Sequence, residues 1–332
     1  MAVKDVNGRL HGRVGSVIYR TIGTTEVVQS RPRKFKQTLA TRQSGLEFGL
    51  GSNTARILRQ MLWPVYHSVD RGMANRLTSS VLSCIRACKD KACGERDLHD
   101  GELSYLRGFQ FNRNSPLSKV LRVRPEVKMA ADGKPEICIP AFNEHTDLQC
   151  PVGRYEGITI RFMAVAFHFR SEYCQYLGYQ DVWIDRRAAV DRQVWKVEKE
   201  LPAGSIVLLT VSLIAGTEKL SSPVTLNSKE WSPAEIVDVI KVSQGDAALL
   251  SAEYINKLAG RDEQDPSLPA SEPLLTKHPM ACYWGKSIFG KVQRLREKAD
   301  LQQLQKSGRQ QLRQSGIASG GTLILPEGKV EI

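Results

Sequence analysis

The sequence predicts an α+β protein: an N-terminal β-hairpin arm, a helical pair, an antiparallel β-sandwich-like domain and a C-terminal basic amphipathic helix. Three observations lead to this prediction. Apolar residues recur at helical spacing between residues 41 and 93, β-branched and aromatic runs dominate residues 125–245, and helical spacing returns on a basic background after residue 285. Because the strand runs are joined by turns without intervening helices, antiparallel sheets are favoured over parallel ones.

The predicted division of the chain follows these changes of pattern. Six segments result: a Gly-rich hairpin and basic arm (1–38), a helical region (39–100), a connector (101–124), the antiparallel β domain (125–245), a helical and Pro-rich acidic linker (246–275), and a basic helix with a terminal strand (276–332). A chain of 332 residues is long enough for two ordinary domains. Its 41% hydrophobic and 25% charged residues are typical of globular proteins.

The first segment predicts a hairpin followed by an extended arm. Val14, Val17 and Tyr19 lie on one strand-like run, Gly23 supplies a turn, and "EVVQS" returns. In the next stretch, "RPRKFKQT", Pro32 prevents a helix. Because an exposed edge with small residues favours strand addition, we expect four residues to contact a neighbouring subunit: Gly12, Gly15, Val17 and Tyr19.

Two helices are predicted between the arm and residue 93. The first begins near Thr41; Gly49 and Gly51 are expected to interrupt it and Pro64 to end it. The second helix is amphipathic, with an apolar stripe formed by Met73, Leu77, Val81, Ile85 and Cys88.

The rest of the chain predicts strands, a linker and a helix. The strand-like runs are "EICIPAF", "GITIRFMAVAFHF", "QDVWID", "RQVWKVEKEL" and "SIVLLTVSLIAG". The stretch "GRDEQDPSLPASEP", with four acidic residues and three prolines, is predicted to be a linker. A basic amphipathic helix follows from Gly285, with Gly308 as the candidate position for a break, and "GGTLILPEGKVEI" predicts a small strand.

The net charge of +12 is concentrated at the two ends of the chain. Residues 1–60 carry eleven Lys and Arg against three acidic residues, and residues 286–313 carry eight against two. Such ends suit an acidic partner, either nucleic acid or a protein surface, while the alternative is that they only confer solubility. The predicted contact residues are Arg31, Arg33, Lys34, Lys36, Lys291, Arg294, Arg296, Lys298, Arg309 and Arg313.

The sequence contains few patterns typical of catalytic or metal-binding residues. The sequence has neither a G-x-S-x-G elbow nor a P-loop, and His168 and Asp181 fit a structural role in or beside a strand. Four potential zinc ligands lie within sixteen residues but lack the usual CxxC spacing, so core thiols are favoured over zinc; they are Cys84, Cys88, Cys93 and His99. We therefore predict no catalytic residue, no metal and no cofactor.

The sequence also predicts where the protein resides. Its first residues do not form a signal-peptide pattern, and no run approaches the roughly 20 apolar residues of a membrane span. Its seven cysteines are an odd number. We expect free thiols, no membrane span and a cytoplasmic location.

The N-terminal motifs resemble those of a known group of proteins. The sequence "NGRLHGRVGSVIYRTIG", followed by "VVQSRPRKFKQT" and "TRQSGLEFGLGS", resembles the start of a large Bacteroidota family with no assigned function, which begins with a Gly-rich "NG…GKVGNVV" hairpin and an Arg-x-x-Pro arm. Similarity extends to "GFQFNRNSPLSKVL" and "AGSIVLLTVSL". The resemblance implies a bacterial source and this architecture, and it names no catalytic residue. The matching positions are Asn7, Gly8, Gly12, Val14, Gly15, Val17, Arg31, Pro32, Gln43 and Phe48, with Arg13 where lysine is usual.

Together these features predict a non-enzymatic structural or assembly protein. Its arm would contact neighbouring subunits of a homo-oligomer, and its basic ends would meet an acidic partner, with nucleic acid among the candidates. The alternative function is a DNA- or RNA-binding protein that acts by phosphate contacts. An enzyme with a site in the β domain is the third alternative.

Overall fold

The computed structural model describes residues 2–31, 37–66, 70–150, 155–217, 224–243, 277–280, 283–314, 323–325 and 328–330. It confirms the predicted α+β class, because helices and antiparallel sheets occur together along the chain. Two compact units are present, Met1–Arg42 and Gln43–Ile332. The predicted linker, residues 246–275, lies outside the described residues.

The first unit contains a four-stranded antiparallel sheet rather than a single hairpin. Its strands follow one another in chain order: β1 (Ala2–Lys4), β2 (Leu10–Val14), β3 (Val17–Ile22) and β4 (Thr25–Ser30). The predicted hairpin corresponds to β3 and β4, with Gly23 in the turn at a φ of +61°. Val14 and Val17 were expected on one strand but lie on two, because Gly15 (φ +57°) makes a second tight turn between them.

The helices agree with the predicted pattern, with one difference at the glycines. The described helices are α1 (Leu39–Met61), α2 (Met73–Ala87), α3 (Leu117–Val120), α4 (Glu144–Asp147) and α5 (Gly285–Gln314), with 3-10 turns at Trp63–Val65 and Leu103–Leu106. Helix α1 continues through Gly49 and Gly51, which were expected to interrupt it, and α5 continues through Gly308. Packing accounts for the glycine at position 51, because a Cβ there would lie 2.5 Å from Cδ2 of Leu82 on α2.

The second unit is built around a seven-stranded antiparallel sheet. The strands of this unit are β5 (Phe109–Gln110), β6 (Glu126–Met129), β7 (Pro135–Ile139), β8 (Phe142–Asn143), β9 (Gly157–His168), β10 (Tyr173–Asp185), β11 (Ala189–Val190), β12 (Gln193–Lys196), β13 (Ile206–Thr217), β14 (Val224–Thr225), β15 (Ala234–Lys241), β16 (Lys277–Pro279), β17 (Leu323–Leu325) and β18 (Gly328–Val330). In the seven-stranded sheet the spatial order is β16, β10, β9, β13, β15 and β5, with β14 beside β13. Strands β6, β7 and β12 form a three-stranded sheet, while β8 pairs with β11 and β17 with β18.

Strands β9 and β13 separate two hydrophobic cores. On one face of the sheet, Met163, Val165 and Phe167 of β9 join the buried residues of α1, α2 and the start of α5. On the other face, the alternate residues of β9 join a core that includes Ile137 of β7 and Trp195 of β12. The Trp195 ring stacks on Phe162, with 6.1 Å between the ring centroids. The small sheet therefore covers the second face in a sandwich-like arrangement.

A buried ion pair joins the helices on the first face. The Glu47 carboxylate on α1 accepts hydrogen bonds from Arg96 Nε at 2.8 Å and from the Gly94 N–H at 3.1 Å. Arg96 also donates to the carbonyl of Cys88, the residue that follows α2. Burial alone would raise the pKa of the Glu47 carboxyl, but these hydrogen bonds hold it below its usual range. The pair fixes α1 against the end of α2.

The crossing of α1 and α2 gives the first prediction. The change Gly51→Ala adds a methyl group that displaces Leu82, and it should lower the free energy of unfolding by about 1–3 kcal/mol. Gly49→Ala is the control on the same helix: a Cβ there meets no atom within 4 Å, so the higher helix propensity of alanine should stabilise the protein by about 0.5–1 kcal/mol. Urea denaturation measures both. Equal effects of the two changes would contradict the described helix contact.

Candidate assembly and acidic-partner interfaces

The N-terminal sheet forms the first candidate interface because its side chains are accessible. Between residues 2 and 31, no side chain is buried. Val28 on β4 is 60% exposed and Ile22 on β3 is 57% exposed. Sheets in folded proteins normally bury at least one face against another layer, so the accessible apolar residues here make this sheet a candidate interaction surface.

One face of this sheet carries an apolar row that crosses all four strands. The row consists of directly opposed residues: Ala2 faces Gly12, Gly12 faces Tyr19, and Tyr19 faces Val28. Val14 and Val17, which oppose each other, lie on the same face two residues along. Three of the predicted subunit-contact residues, Gly12, Val17 and Tyr19, therefore share one face, while Gly15 lies in the adjoining turn.

The predicted basic arm is described only at its start. Arg31 is exposed, and its backbone N–H donates to the carbonyl of Ser16 at 2.6 Å. Arg33, Lys34 and Lys36 lie outside the described residues. The phosphate contacts expected of these three residues stay a prediction.

Helix α5 forms the second candidate interface. Its first turns are anchored, because Ile288 and Val292 are buried and Ile288 belongs to the core formed with α1 and α2. From Asp300 to Ser307 every side chain is exposed, and Leu301 and Leu304 are 61% and 68% accessible. The helix is therefore amphipathic only near its start. Within the described ranges, no helix is both long enough and apolar enough to cross a lipid bilayer.

The basic residues of α5 differ in whether a carboxylate already neutralises them. Arg296 is ion-paired with Glu95. By contrast, three of the predicted contact residues are exposed and have no carboxylate within 4 Å among the described residues; these are Lys291, Arg294 and Lys298, and Lys306 behaves likewise. The side chains of Arg309 and Arg313 lie outside the described set, although the backbone there is helical. Unpaired cations on an exposed helix suit phosphate or carboxylate groups of a partner.

The sequence did not predict a cleft beside β5. It has a volume of about 340 Å³ and is lined by Arg107, Arg124, Gln110, Glu235 and several apolar side chains. Gln110 Nε2 donates to the Glu235 carboxylate at 2.6 Å, and Arg107 is paired with Asp238. Burial raises the pKa of Glu235. The cleft was missed because its residues come from the predicted connector and from a distant strand, which only the pairing of β5 with β15 brings together.

Polar residues that were considered for catalysis lie in structural pairs. Asp181 binds Arg161 through two hydrogen bonds of 2.7 and 2.6 Å across β9 and β10. His168 is buried, and its Nδ1 accepts the N–H of Ser171 at 3.0 Å. Nε2 of His99 accepts the N–H of Phe169 at 3.0 Å, and the two imidazole centroids are 5.4 Å apart. Both histidines thus fix the turn between β9 and β10.

The thiols considered as zinc ligands are distributed along α2 and the loop after it. Cys84 and Cys88 are buried, whereas Cys93 is half-buried. Burial raises the pKa of Cys84 to about 12, which disfavours the thiolate that binds a metal. Among the described residues, no group of three or more His, Cys, Asp or Glu side chains has an arrangement that would hold a metal ion.

The buried His99 gives a prediction about pH. Desolvation lowers the pKa of His99 to about 4, whereas an unfolded chain protonates histidine near pH 6.5. The unfolded chain therefore binds more protons between these values, and the stability should fall as the pH falls from about 6.5 to 4. His99→Gln retains an acceptor for the Phe169 N–H but cannot be protonated. The slope of unfolding free energy against pH should then decrease by up to about 1.4 kcal/mol per unit in that window.

The measurement is urea denaturation of both proteins at intervals from pH 4 to pH 8. His145→Gln is the control, because His145 is exposed. If the wild-type protein and the His99→Gln variant had the same slope between pH 4 and 6.5, the buried neutral state of His99 would be wrong.

No protein-family model, curated protein or solved structure matches this chain. The resemblance to the Bacteroidota proteins stays a prediction from the N-terminal residues.

Proposed function

We propose that this chain is a non-enzymatic assembly protein whose N-terminal sheet joins copies into a homo-oligomer and whose basic ends contact an acidic partner. The observation that carries the proposal is the N-terminal sheet, which has apolar side chains but no buried one. A small sheet without a covered face gains little from burial to offset the entropy of ordering its chain. Association with another copy adds contacts and hydrogen bonds that offset this cost.

Two further observations support a structural rather than a catalytic role. The residues first considered for catalysis, His168 and Asp181, have structural partners that account for their positions. Buried free thiols such as Cys84 and Cys174 suit a reducing compartment, so we place the protein in the cytoplasm of a bacterium related to the Bacteroidota.

Light scattering of the full-length protein tests the proposal. We expect a mass that is a multiple of 37.1 kDa, and Tyr19→Lys should lower it because a lysine in the apolar row opposes its burial. Tyr105→Lys is the control, since Tyr105 is exposed but lies outside the N-terminal sheet. A wild-type mass of 37.1 kDa at every protein concentration would refute the assembly role.

Nucleic-acid binding is the second candidate function, favoured by the unpaired cations of α5. Changing Lys291 and Lys298 to Gln should weaken binding of a labelled single-stranded oligonucleotide and reduce the slope of log affinity against log salt by roughly 1.4. The matched control changes Lys128 and Lys196 to Gln, because each already pairs with a carboxylate. Fluorescence anisotropy over a salt series measures both. Equal slopes for the two double variants would exclude α5 as the phosphate-binding surface.

A further inference from the structure

Among the described residues, no strand pairs with the outer side of β4, and this edge has little of the usual protection. Its sequence, Thr25–Ser30, contains neither lysine nor proline, and its ladder with β3 is regular over all six residues. The opposite edge of the sheet, β1, is only three residues long and contains Lys4. Among the described residues, β10 has no neighbour on one side after Gln175, but a bulge near Gly178 interrupts that edge. Natural sheets use short strands, charged side chains, prolines and bulges against edge pairing, and of these β4 has only the single carboxylate of Glu26.

The hydrogen-bonding groups of β4 alternate in direction. The N–H of Arg31 donates inward, to Ser16, and successive residues of a strand point their N–H and C=O groups to opposite sides. Val27 and Gln29 therefore bond to β3. The backbone groups of Glu26, Val28 and Ser30 point away from the sheet, where a further strand would meet them.

From this geometry we infer that two copies of the chain pair their β4 strands antiparallel about a two-fold axis at Val28. This inference rests on the proposed assembly role and names the surface that performs it. Val28 faces the partner's Val28, and Glu26 faces the partner's Ser30 in both directions. Because all three outward residues exchange both of their hydrogen bonds, the pairing forms six N–H···O=C bonds and joins the two sheets into one of eight strands.

The side chains favour this register. The apolar row from Ala2 to Val28 continues directly into the same row of the second copy, so Val28 packs beside the partner's Val28. The only charged side chain of β4, Glu26, faces a serine rather than another carboxylate. A shift by one residue would place the apolar row against the opposite face, and a shift by two residues would oppose Val28 to Glu26 or to Ser30, according to its direction.

Charge substitutions at the axis test the pairing in the full-length protein. Val28→Lys and Val28→Glu each place two like charges opposite each other, and each should raise the dimer dissociation constant roughly ten-fold or more. An equimolar mixture of the two variants should restore the affinity, since lysine then faces glutamate. Ile22→Lys is the control, because Ile22 has nearly the same exposure, lies on the opposite face and is not on the β4 edge. Sedimentation equilibrium measures all four samples.

Disulfide formation tests the register independently. Val28→Cys should give a covalent dimer under mild oxidation, because directly opposed residues of paired strands lie within disulfide range. Val27→Cys is the control on the neighbouring residue, which would face the partner's Gln29 on the other face. The wild-type protein under the same oxidant gives the background from the native thiols. Crosslinking of Val27→Cys at the same rate as Val28→Cys would overturn the register.

The outcomes separate this inference from the proposed function. If the wild-type protein is a monomer, both fail. If it assembles and neither Val28→Lys nor Val28→Glu weakens the assembly, the assembly role stands but the β4 pairing is wrong. If both variants weaken it and their mixture does not restore it, Val28 lies in the contact without facing its own equivalent, and the two-fold register is overturned.

Discussion

Burial of both faces of strands β9 and β13 is the constraint on which the second unit depends. Every residue from Phe162 to His168 is buried, and so are eight consecutive residues of β13 from Ile206. Such strands cannot shift by one residue, because each face fits a different core: helices on one side and a small sheet on the other. The sheet thereby fixes α1, α2 and the anchored start of α5.

The N-terminal sheet differs from the sheet of the second unit, because its strand ladders are regular but none of its side chains is buried. Hydrogen bonds alone contribute little net free energy, so ladder formation does not make such a sheet stable by itself. A partner that binds the folded sheet and not the unfolded strands stabilises it by mass action. Folding of this unit and assembly are then linked, and the stability of residues 2–31 should depend on protein concentration.

The sequence was sufficient for the fold class and for the main helices and strands, because apolar periodicity and β-branched runs reflect burial directly. It was insufficient where the local structure depends on a residue far away in the chain. In the sequence Gly51 resembles a helix breaker, whereas in the structure it leaves the space that the Leu82 side chain occupies. Strand β2 contains a histidine, a glycine and an arginine in succession, so its pattern is not strand-like, and its ladders with β1 and β3 define it. The cleft beside β5 likewise requires a strand pairing between residues 125 positions apart.

Charge connects the two proposed roles, and added salt affects them in opposite directions. Each copy has a net charge of +12, so bringing copies together costs electrostatic free energy, although β4 itself carries only one charged residue. Added salt screens this repulsion between copies. The same salt weakens contacts between phosphates and the unpaired lysines of α5, because each counterion released on binding gains less entropy at a higher bulk salt concentration. An acidic partner would therefore promote assembly most at low salt, where it neutralises the repulsion that otherwise keeps the copies apart.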